Sequence, residues 1–430
     1  MQVSLKTDAQ AKQVTITLSD VDWEKMRQGG FYQGEQQVQQ IITSIGRELT
    51  CELLRRKSTT DRTIRRDGQT WYRKEAATGS YHTLYGKVAI PRHLYQTSAG
   101  GATRCPLEED CQFSFGAATP LLAELLSFKV SALTPQEVAQ DLAKHGLLLS
   151  VSFIQQTAHR VGRIAAEKNG CWQLRGTEPV RRVATIATGF DGTTLPLREE
   201  SYREAMCGTI ALYDARGERL ATEYLGSMPE SGKARFAARL TARVAQVKAR
   251  YPRALHVVLS DGATWNWQLI EEHYPTAIWV LDFWHAAQHL SQAAEAIFGT
   301  APGAEKTAWF ERWKATLRDE PNGVAGVTRR LLYYRNQARL SAEARAAIAT
   351  QLNYFRQHAG RMQYADYRAA GLPIGSGVTE AGCKELIKAR FSRSGMRWRR
   401  ETGDHILELR AIRLSEQWGS FWHKVMRYAA

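Results

Sequence analysis

ValAlaThrIleAlaThrGlyPhe at residues 183–190 runs directly into AspGlyThrThr at 191–194. The alternating pattern of the first segment predicts a β-strand, and the aspartate beside glycine at its end places a carboxylate on a sheet. A carboxylate in that position can bind a metal ion. Asp191 is therefore the first candidate site residue.

Two later segments repeat this arrangement of a strand followed by aspartate. LeuHisValValLeu at 255–259 leads to Asp261, and AlaIleTrpValLeu at 277–281 leads to Asp282. Short apolar runs of this length are typical of buried strands. A single aspartate at a strand end is more often a turn cap than a ligand. Only the joint placement of several acids indicates a site.

A third acid follows far downstream, where GlySerGly at 375–377 precedes Glu380 at the start of a strongly basic helix. Three carboxylates supply hard oxygen ligands for two Mg²⁺ ions about 3.5 to 4 Å apart, which activate a nucleophile and stabilise the leaving oxygen. Glu385 is the competing acid, about 140° further round the same helix. We therefore predict a site of Asp191, Asp261 and Glu380.

Length and charge limit the possible classes of protein. A chain of 430 residues predicts two or more domains, and a hydrophobic fraction of 43% is that of a soluble globular protein. No stretch approaches the roughly 18 apolar residues of a membrane-spanning helix, and no signal-peptide pattern opens the chain, so we expect no membrane partner. The net charge of +15 favours a polyanionic partner such as nucleic acid.

The cysteines favour a reducing, intracellular setting. Six are scattered along the chain without close pairing, at positions 51, 105, 111, 171, 207 and 383. A zinc site at Cys105 and Cys111 lacks the four ligands that structural zinc needs, because no second Cys or His pair lies nearby. We expect a cytoplasmic protein.

The first 115 residues predict a mixed region of helix and small sheet. A helix is expected after Gly30, because apolar residues recur at helical spacing at Val38, Ile41, Ile42, Ile45, Leu49 and Leu53. Short alternating segments between residues 71 and 95 then indicate a small sheet or ribbon.

Residues 116–168 carry the pattern of a helix-turn-helix domain. ThrProGlnGlu at 134–137 is a capping box with proline at the first helical position, and SerPheIleGln at 152–155 predicts a second one. Two short helices joined by a tight turn are typical of DNA readers, although an ordinary three-helix packing unit has the same pattern. The second helix would present Gln155, Gln156, His159, Arg160 and Arg163 to DNA.

The remaining chain predicts an α/β domain with a helical insertion. Its strands and helices follow the order βββαβαβ over residues 180–290, which resembles the RNase H-like arrangement. In that fold the first strand is central and the fourth lies beside it, so Asp191 and Asp261 would be neighbours. Residues 291–371 read as an all-helical insertion, and residues 372–430 as the C-terminal part of the core with the Glu380 helix and a basic tail.

Taken in order, four motifs, the last of which extends from residue 374 through residue 398, resemble bacterial insertion-sequence transposases of the DDE class, closest to the Mutator-like group with a helical insertion. The resemblance covers roughly residues 120–415, and the ordered set is specific where a single motif is weak. The stretches are GlyPheAspGlyThrThr at 189–194, LeuSerAspGlyAla at 259–263, LeuAspPheTrpHisAlaAlaGlnHisLeu at 281–290, IleGlySerGlyValThrGluAlaGlyCysLys at 374–384 and SerGlyMetArgTrp at 394–398.

The resemblance implies a complete biochemical activity. The protein would bind the terminal inverted repeats of a mobile element and use two Mg²⁺ or Mn²⁺ ions to cleave DNA and transfer the strand to target DNA. Asp191, Asp261 and Glu380 take the places of the acidic triad. Joining two DNA ends implies a homodimer or higher oligomer, acting at the nucleoid in the cytoplasm of a bacterium.

Two other classes remain open from the sequence. One is a metal-dependent, structure-selective nuclease on the same fold, which would cut DNA without joining it. The other is a non-enzymatic helix-turn-helix protein that binds DNA through residues 116–168. The presence of all three acids disfavours the second class.

Two histidines near the site have alternative interpretations. Asp282 and His285 fall where the resembled group carries an Asp-or-Cys and His signature beside the site. His285 and His289 are also spaced i and i+4 on a predicted helix, which could form a transition-metal site. The metalloprotease pattern is absent because no Glu follows His285. We favour histidines that orient a carboxylate or contact a phosphate.

Basic residues are concentrated after Glu380. Side chains at i and i+4 spacing beside a metal site are well placed to hold a DNA backbone, whereas the alternative is a solvated basic face. The predicted DNA contacts here are Lys384, Lys388, Arg390, Arg393, Arg397, Arg399 and Arg400.

Overall fold

The structure is a computed structural model that describes residues 2–8, 13–21, 23–168, 179 and 182–428. Cys171 and the start of the predicted 180–290 domain lie outside these residues. The chain forms two compact units, one of residues 1–168 with 419–430 and the other of residues 169–418. A mixed α/β class is confirmed.

The first unit begins with strands and one long helix. A two-stranded antiparallel hairpin precedes two helices, and a four-stranded antiparallel sheet in the order β3-β4-β5-β6 follows. The elements are β1 (Gln2–Asp8), β2 (Gln13–Ser19), α1 (Trp23–Gln28), α2 (Phe31–Lys57), β3 (Thr63–Arg66), β4 (Gln69–Thr83), β5 (Gly86–Thr97) and β6 (Gly100–Arg104).

Four helices complete the described part of this unit up to residue 168: α3 (Pro106–Asp110), α4 (Pro120–Val130), α5 (Pro135–Lys144) and α6 (Val151–Glu167). The predicted capping box of α5 is present, because Thr134 Oγ1 accepts from the Glu137 backbone N–H at 3.1 Å and Glu137 Oε2 accepts from the Thr134 N–H at 2.8 Å. The predicted box at Ser152 is wrong. Ser150 caps α6 instead, with extended backbone and its hydroxyl oxygen 3.2 Å from the Phe153 N–H, so Ser152 already lies inside the helix.

The second unit is built on a five-stranded sheet in the order β11-β10-β7-β8-β9. Strands β7, β8 and β9 form an antiparallel meander, while β10 pairs in parallel with both β7 and β11. The first strand is therefore central with the fourth beside it, as expected from the sequence. The elements are β7 (Thr185–Pro196), β8 (Tyr202–Tyr213), β9 (Arg219–Ser227), α7 (Ala234–Arg250), β10 (Leu255–Ser260), α8 (Thr264–His273) and β11 (Ile278–Leu281).

Helices dominate the chain after β11. They are α9 (Phe283–Phe298), α10 (Ala304–Asp319), α11 (Gly323–Arg335), α12 (Ala342–His358), α13 (Tyr364–Ala369), α14 (Gly377–Gly382), α15 (Ala389–Phe391), α16 (Arg400–Leu414) and α17 (Trp418–Tyr428). A π-helical segment, Cys383–Lys388, joins α14 to α15. Within the described residues, no helix is both long and apolar enough to cross a membrane.

One core holds the sheet and the helical insertion together. Ile186, Val257 and Val280 of the sheet are fully buried, and Leu331 and Phe355 of the insertion join the same apolar cluster. Burial of each such side chain is worth about 1.5 to 3 kcal/mol. The insertion is therefore packed against the five-stranded sheet as part of the second unit.

Candidate active site

Asp191 and Asp261 reach the same end of two neighbouring strands. In the parallel pairing of β7 and β10, Gly189 lies opposite Leu259. Asp191 and Asp261 each come two residues after this pair, at matching positions along the chain. Burial raises the pKa of Asp191 and the charge of Asp261 raises it further, against a lowering hydrogen bond from the Gly192 N–H. The register therefore brings the first two predicted acids together.

Helix α14 packs against the central strands and brings Glu380 to this end of the sheet. Thr379 Oγ1 lies 2.7 Å from Thr209 Oγ1 on β8. A Cβ atom at Gly189 would lie only 2.1 Å from Thr379 Oγ1, so the close approach of α14 to β7 requires glycine there. The next residue, Glu380, accepts a hydrogen bond of 3.2 Å from the Ser376 hydroxyl.

The π-helical segment continues this contact. Cys383 Sγ lies 3.7 Å from Asp191 Oδ2 and 3.8 Å from the Asp191 carbonyl oxygen. π-Helical turns occur frequently at functional sites. Glu385, the competing acid, is exposed on the same segment. The geometry therefore favours Glu380 over Glu385.

Asp282 is buried completely and holds two elements in place. It caps α9 by accepting the His285 N–H at 2.9 Å on one carboxylate oxygen, and its other oxygen accepts the Ser376 N–H. Burial alone would raise the pKa of Asp282, but hydrogen bonds from His285 and Ser376 outweigh it and bring the pKa to about 2. The ionised carboxylate thus fixes the turn that carries Glu380.

His285 completes a compact group of possible ligands. Its buried Nδ1 lies 3.4 Å from Asp282 Oδ1, an ion-pair distance when the ring is protonated. Asp282 raises the pKa of His285 against the effect of burial, and the charges of Asp261 and Glu380 add to this. One ligand atom each from Asp282, His285 and Glu380 lies within 4.8 Å of the others. In the described part of the chain, the predicted trio of Asp191, Asp261 and Glu380 does not form a group with ligand atoms within this distance.

The acids at this end of the sheet carry charge that no lysine or arginine neutralises. Among residues 182–428, Asp191, Asp261, Asp282 and Glu380 make no ion pair with either residue type. Asp261 Oδ1 instead accepts from the Ala263 N–H at 3.1 Å and the Asn266 amide at 2.6 Å. Partly buried carboxylates in this number call for a cation, and carboxylates with one imidazole fit Mg²⁺ or Mn²⁺.

Tyr354 from the helical insertion also reaches the site, and the sequence pattern did not reveal it. Its hydroxyl is buried and has no hydrogen-bond partner within the described residues. A Cβ at Gly262 would lie 2.9 Å from that hydroxyl and 2.7 Å from the ring. Burial raises the pKa of Tyr354, and the charges of Asp261 and Asp282 raise it further. The hydroxyl therefore stays protonated beside the acids. The one feature of the sequence that indicates this close contact is Gly262, which directly follows Asp261.

His289 supports Tyr354 rather than pairing with His285. The His289 and Tyr354 rings stack with centroids 3.5 Å apart and an angle of 20°. His289 Nδ1 lies 2.7 Å from Gln351 Oε1. His289 is not part of the compact ligand group, so a joint metal site of the two histidines is not formed here.

The predicted DNA-contacting residues divide between surface and interior. On α6, four side chains are exposed and His159 is half-buried. After Glu380, Arg390 is buried, with its guanidinium 5.0 Å from the Trp398 ring centre and 3.7 Å from Met396 Sδ. The prediction that Arg390 contacts DNA is therefore not kept, because its side chain packs inward. The exposed ones are Gln155, Gln156, Arg160, Arg163, Lys384, Lys388, Arg393, Arg397, Arg399 and Arg400.

The two cysteines considered for zinc serve as parts of a small core. Cys105 precedes α3 and is buried, and Cys111 follows α3 and is half-buried. Burial raises the pKa of both thiols, which disfavours the thiolate that zinc requires. Neither belongs to a group of three possible ligands among the described residues.

No protein-family model and no curated protein matches the sequence. Among solved structures, the chain is similar to a Drosophila P element transposase strand transfer complex, at 9% sequence identity and a TM-score of 0.26. The match covers 72% of this chain and 80% of that chain. At this TM-score the similarity by itself establishes neither a shared fold nor a shared function.

Proposed function

We propose that the protein is a DNA transposase that cleaves and transfers DNA strands by a metal-dependent DDE mechanism on an RNase H-like core. The observation that carries the proposal is the packing of α14 on β7 and β8 through Thr379. This contact supports a role for Glu380 beside Asp191 and Asp261, although Glu380 is remote from both in sequence. The strand order, with β10 parallel to the central β7, supports the same core.

The acidic residues would hold the cations. Asp191, Asp261 and Glu380 supply carboxylate oxygens, and the ligand atoms of Asp282 and His285 lie close to that of Glu380. Two bound Mg²⁺ or Mn²⁺ ions would supply the Lewis acidity that activates a water or a 3′-hydroxyl and stabilises the leaving oxygen. Asp282 has both carboxylate oxygens engaged by backbone N–H groups, so its main task is to position the other residues.

Surface residues would bind the DNA. The exposed basic side chains after Glu380, beginning with Lys384 and Lys388, would contact phosphates, and such contacts weaken as salt concentration rises. Helices α5 and α6 would form the helix-turn-helix that reads the terminal inverted repeats. A substrate of this kind would place the protein at the nucleoid of a bacterial cell, as a homodimer or higher oligomer.

Cleavage and joining of a labelled duplex that carries the element's terminal repeat test the proposal directly. With Mg²⁺, the parent should nick and join, whereas Glu380→Gln should lose both activities by about 10³-fold, because a catalytic cation contributes several kcal/mol to the transition state. Glu385→Gln is the matched control on the exposed side of the same segment and should retain activity.

The other outcomes separate the alternatives. Cleavage without joining would indicate a structure-selective nuclease on the same site. Binding without any chemistry would indicate a non-enzymatic DNA-binding protein. Full activity of Glu380→Gln would show that Glu380 is the wrong acid.

A further inference from the structure

A lysine at the start of α7 has an unusual backbone conformation. Lys233 directly precedes the helix, and its backbone angles are φ 57° and ψ 16°, in the left-handed region. A residue with a Cβ atom adopts this region only at a cost in conformational energy, and such residues cluster at functional sites. The position of the Lys233 side chain therefore needs a physical explanation.

Two contacts hold the Lys233 ammonium group in place. The group lies 4.0 Å from the centre of the Trp265 ring on α8, which is a cation–π contact. It also forms an ion pair with the Glu204 carboxylate on β8. The Lys233 side chain is 22% exposed, so the ammonium group is fixed by protein contacts and the side chain still reaches solvent.

Both partners of the ammonium group adjoin the segment of β7 that carries Asp191. The Trp265 ring packs edge-on against Phe190, with centroids 6.0 Å apart, and Phe190 directly precedes Asp191. A Cβ at Gly192 would lie 2.1 Å from Glu204 Oε1, so the Glu204 carboxylate covers the residue that directly follows Asp191. The ammonium group is therefore held beside the acidic site.

A DNA strand that approaches these carboxylates would be repelled by their charge. Burial is the main cause of the raised pKa of Asp191, and the charges of Asp261 and Glu204 raise that pKa further. An ammonium group carries three N–H donors on a flexible stem, so it can exchange a carboxylate oxygen for a phosphate oxygen. Lys233 can thus supply a positive charge to the strand where the acids repel it.

We propose that Lys233 binds a phosphate of the DNA strand at the edge of the acidic site. Trp265 would support the side chain, and Glu204 would hold the ammonium group when DNA is absent. The inference rests on the proposed function, because its ligand is the DNA backbone. It adds to that function a substrate-binding residue that fixes the strand relative to Asp191 and Asp261.

The salt dependence of DNA binding tests the phosphate contact. A labelled duplex is titrated with the full chain at several NaCl concentrations, without divalent cations so that the duplex stays uncut. One lysine–phosphate contact contributes about 0.9 to the slope of log affinity against log salt concentration, so Lys233→Gln should lower the slope by about that amount and weaken binding about five- to tenfold at about 0.1 M NaCl. Lys233→Arg should keep the slope because it keeps the charge.

Lys314→Gln is the matched control. Lys314 lies on α10 and makes the same two kinds of contact, with its ammonium group 5.0 Å from the centre of the Phe310 ring and 2.7 Å from Glu311 Oε2. Its side chain is 20% exposed, close to the value for Lys233. The substitution removes the same charge from the protein but not from the surroundings of Asp191, so the slope should not change.

Glu204→Gln distinguishes a phosphate contact from an ion pair that only anchors α7. In the proposed arrangement the substitution releases the ammonium group from its competing partner, so it should tighten DNA binding about two- to fivefold. Lys233→Gln should act in the opposite direction. An ion pair with an anchoring role alone would instead make both variants less stable on thermal unfolding and leave the slope unchanged.

The outcomes separate this inference from the proposed function. An unchanged slope for Lys233→Gln, with DNA binding retained, would overturn this inference alone. The same holds if Glu204→Gln weakens binding as much as Lys233→Gln does. Absence of DNA binding by the parent would overturn the proposed function together with this inference.

Discussion

Two groups of acidic residues, one in each unit, have opposite surroundings. In the first unit, the acids of α3 each pair with an arginine of the four-stranded sheet, while in the second unit the acids at the end of β7 and β10 have no lysine or arginine partner among the described residues. Paired acids stabilise the fold, whereas unpaired acids held together cost stability and are typical of functional sites. The pairs of the first unit are Glu108 with Arg92, Glu109 with Arg104 and Asp110 with Arg66.

The buried polar interior of the five-stranded sheet should make the second unit the more acid-sensitive one. His256 on β10 is buried beside Thr188 of β7, with its Nε2 3.0 Å from the hydroxyl, and burial and Lys248 lower its pKa to about 4. As pH falls from about 6.5 to about 4, only the unfolded chain takes up the proton. We expect a loss of about 3 kcal/mol in the free energy of unfolding over this range.

His256→Gln removes this titration while keeping a hydrogen-bonding group beside Thr188. Denaturant unfolding at pH 7 and pH 4.5 should show a smaller acid-induced loss for this variant than for the parent. His423→Gln, at an exposed position on α17, should behave like the parent. An equal loss in all three proteins would show that His256 is not the acid-sensitive group.

A smaller effect should follow removal of the Tyr354 hydroxyl. Tyr354→Phe keeps the ring stacked on His289 and removes a buried donor that lacks a partner, so the metal-free protein should lose no stability. Oxygen ligands brought in with a cation would accept that donor. We therefore expect Mn²⁺ affinity to fall about three- to tenfold.

Tyr367→Phe provides the matched control. The Tyr367 hydroxyl donates to the Trp279 carbonyl oxygen at 3.3 Å, so its removal should lower stability without changing Mn²⁺ affinity. Isothermal titration calorimetry and thermal unfolding measure both quantities. Lower stability with unchanged Mn²⁺ affinity in Tyr354→Phe would assign this residue a packing role alone.

The smallest effects should have opposite signs in the two units. Asp261→Asn should raise the stability of the metal-free protein by about 0.5 to 1 kcal/mol, because it removes one repelling charge and keeps an oxygen that can accept from Ala263 and Asn266. Glu109→Gln should lower stability by about the same amount or less, because it breaks a partly exposed ion pair of 2.7 Å with Arg104. Thermal unfolding without metal measures both. Destabilisation by both variants would contradict the proposed difference between the paired acids of α3 and the unpaired acids at the ends of β7 and β10.

The strand-end acids and the sheet order could be predicted from the sequence because each depends on local patterns. Apolar runs located the ends of β7 and β10, and the resemblance of the element order to an RNase H-like arrangement then predicted that Asp191 and Asp261 are neighbours. Glu380 was found because a glycine-rich turn precedes its helix. In each case the signal lies within a few residues of the acid itself.

The remaining features depend on packing that the sequence pattern does not contain. Tyr354 reaches Gly262 only because α12 folds back onto the unit, and its neighbours in sequence give no sign of this. Arg390 belongs to the same basic run as Lys388, yet one is buried and the other exposed, because residues two positions apart lie on nearly opposite faces of a helix. The prediction of Ser152 as the cap of α6 was wrong because Ser150 and Ser152 both match the capping preference, and the sequence pattern does not distinguish them.

Mn²⁺ binding by the full chain, measured by titration calorimetry, tests most directly whether the unpaired acids form a cation site. The parent should bind, and at about 100 times the dissociation constant Mn²⁺ should stabilise it by about 2.7 kcal/mol. Asp261→Asn and Glu380→Gln should each weaken binding at least tenfold, while Glu109→Gln should not change it. Absence of binding by the parent, or equal affinity in all four proteins, would contradict the assignment of this site.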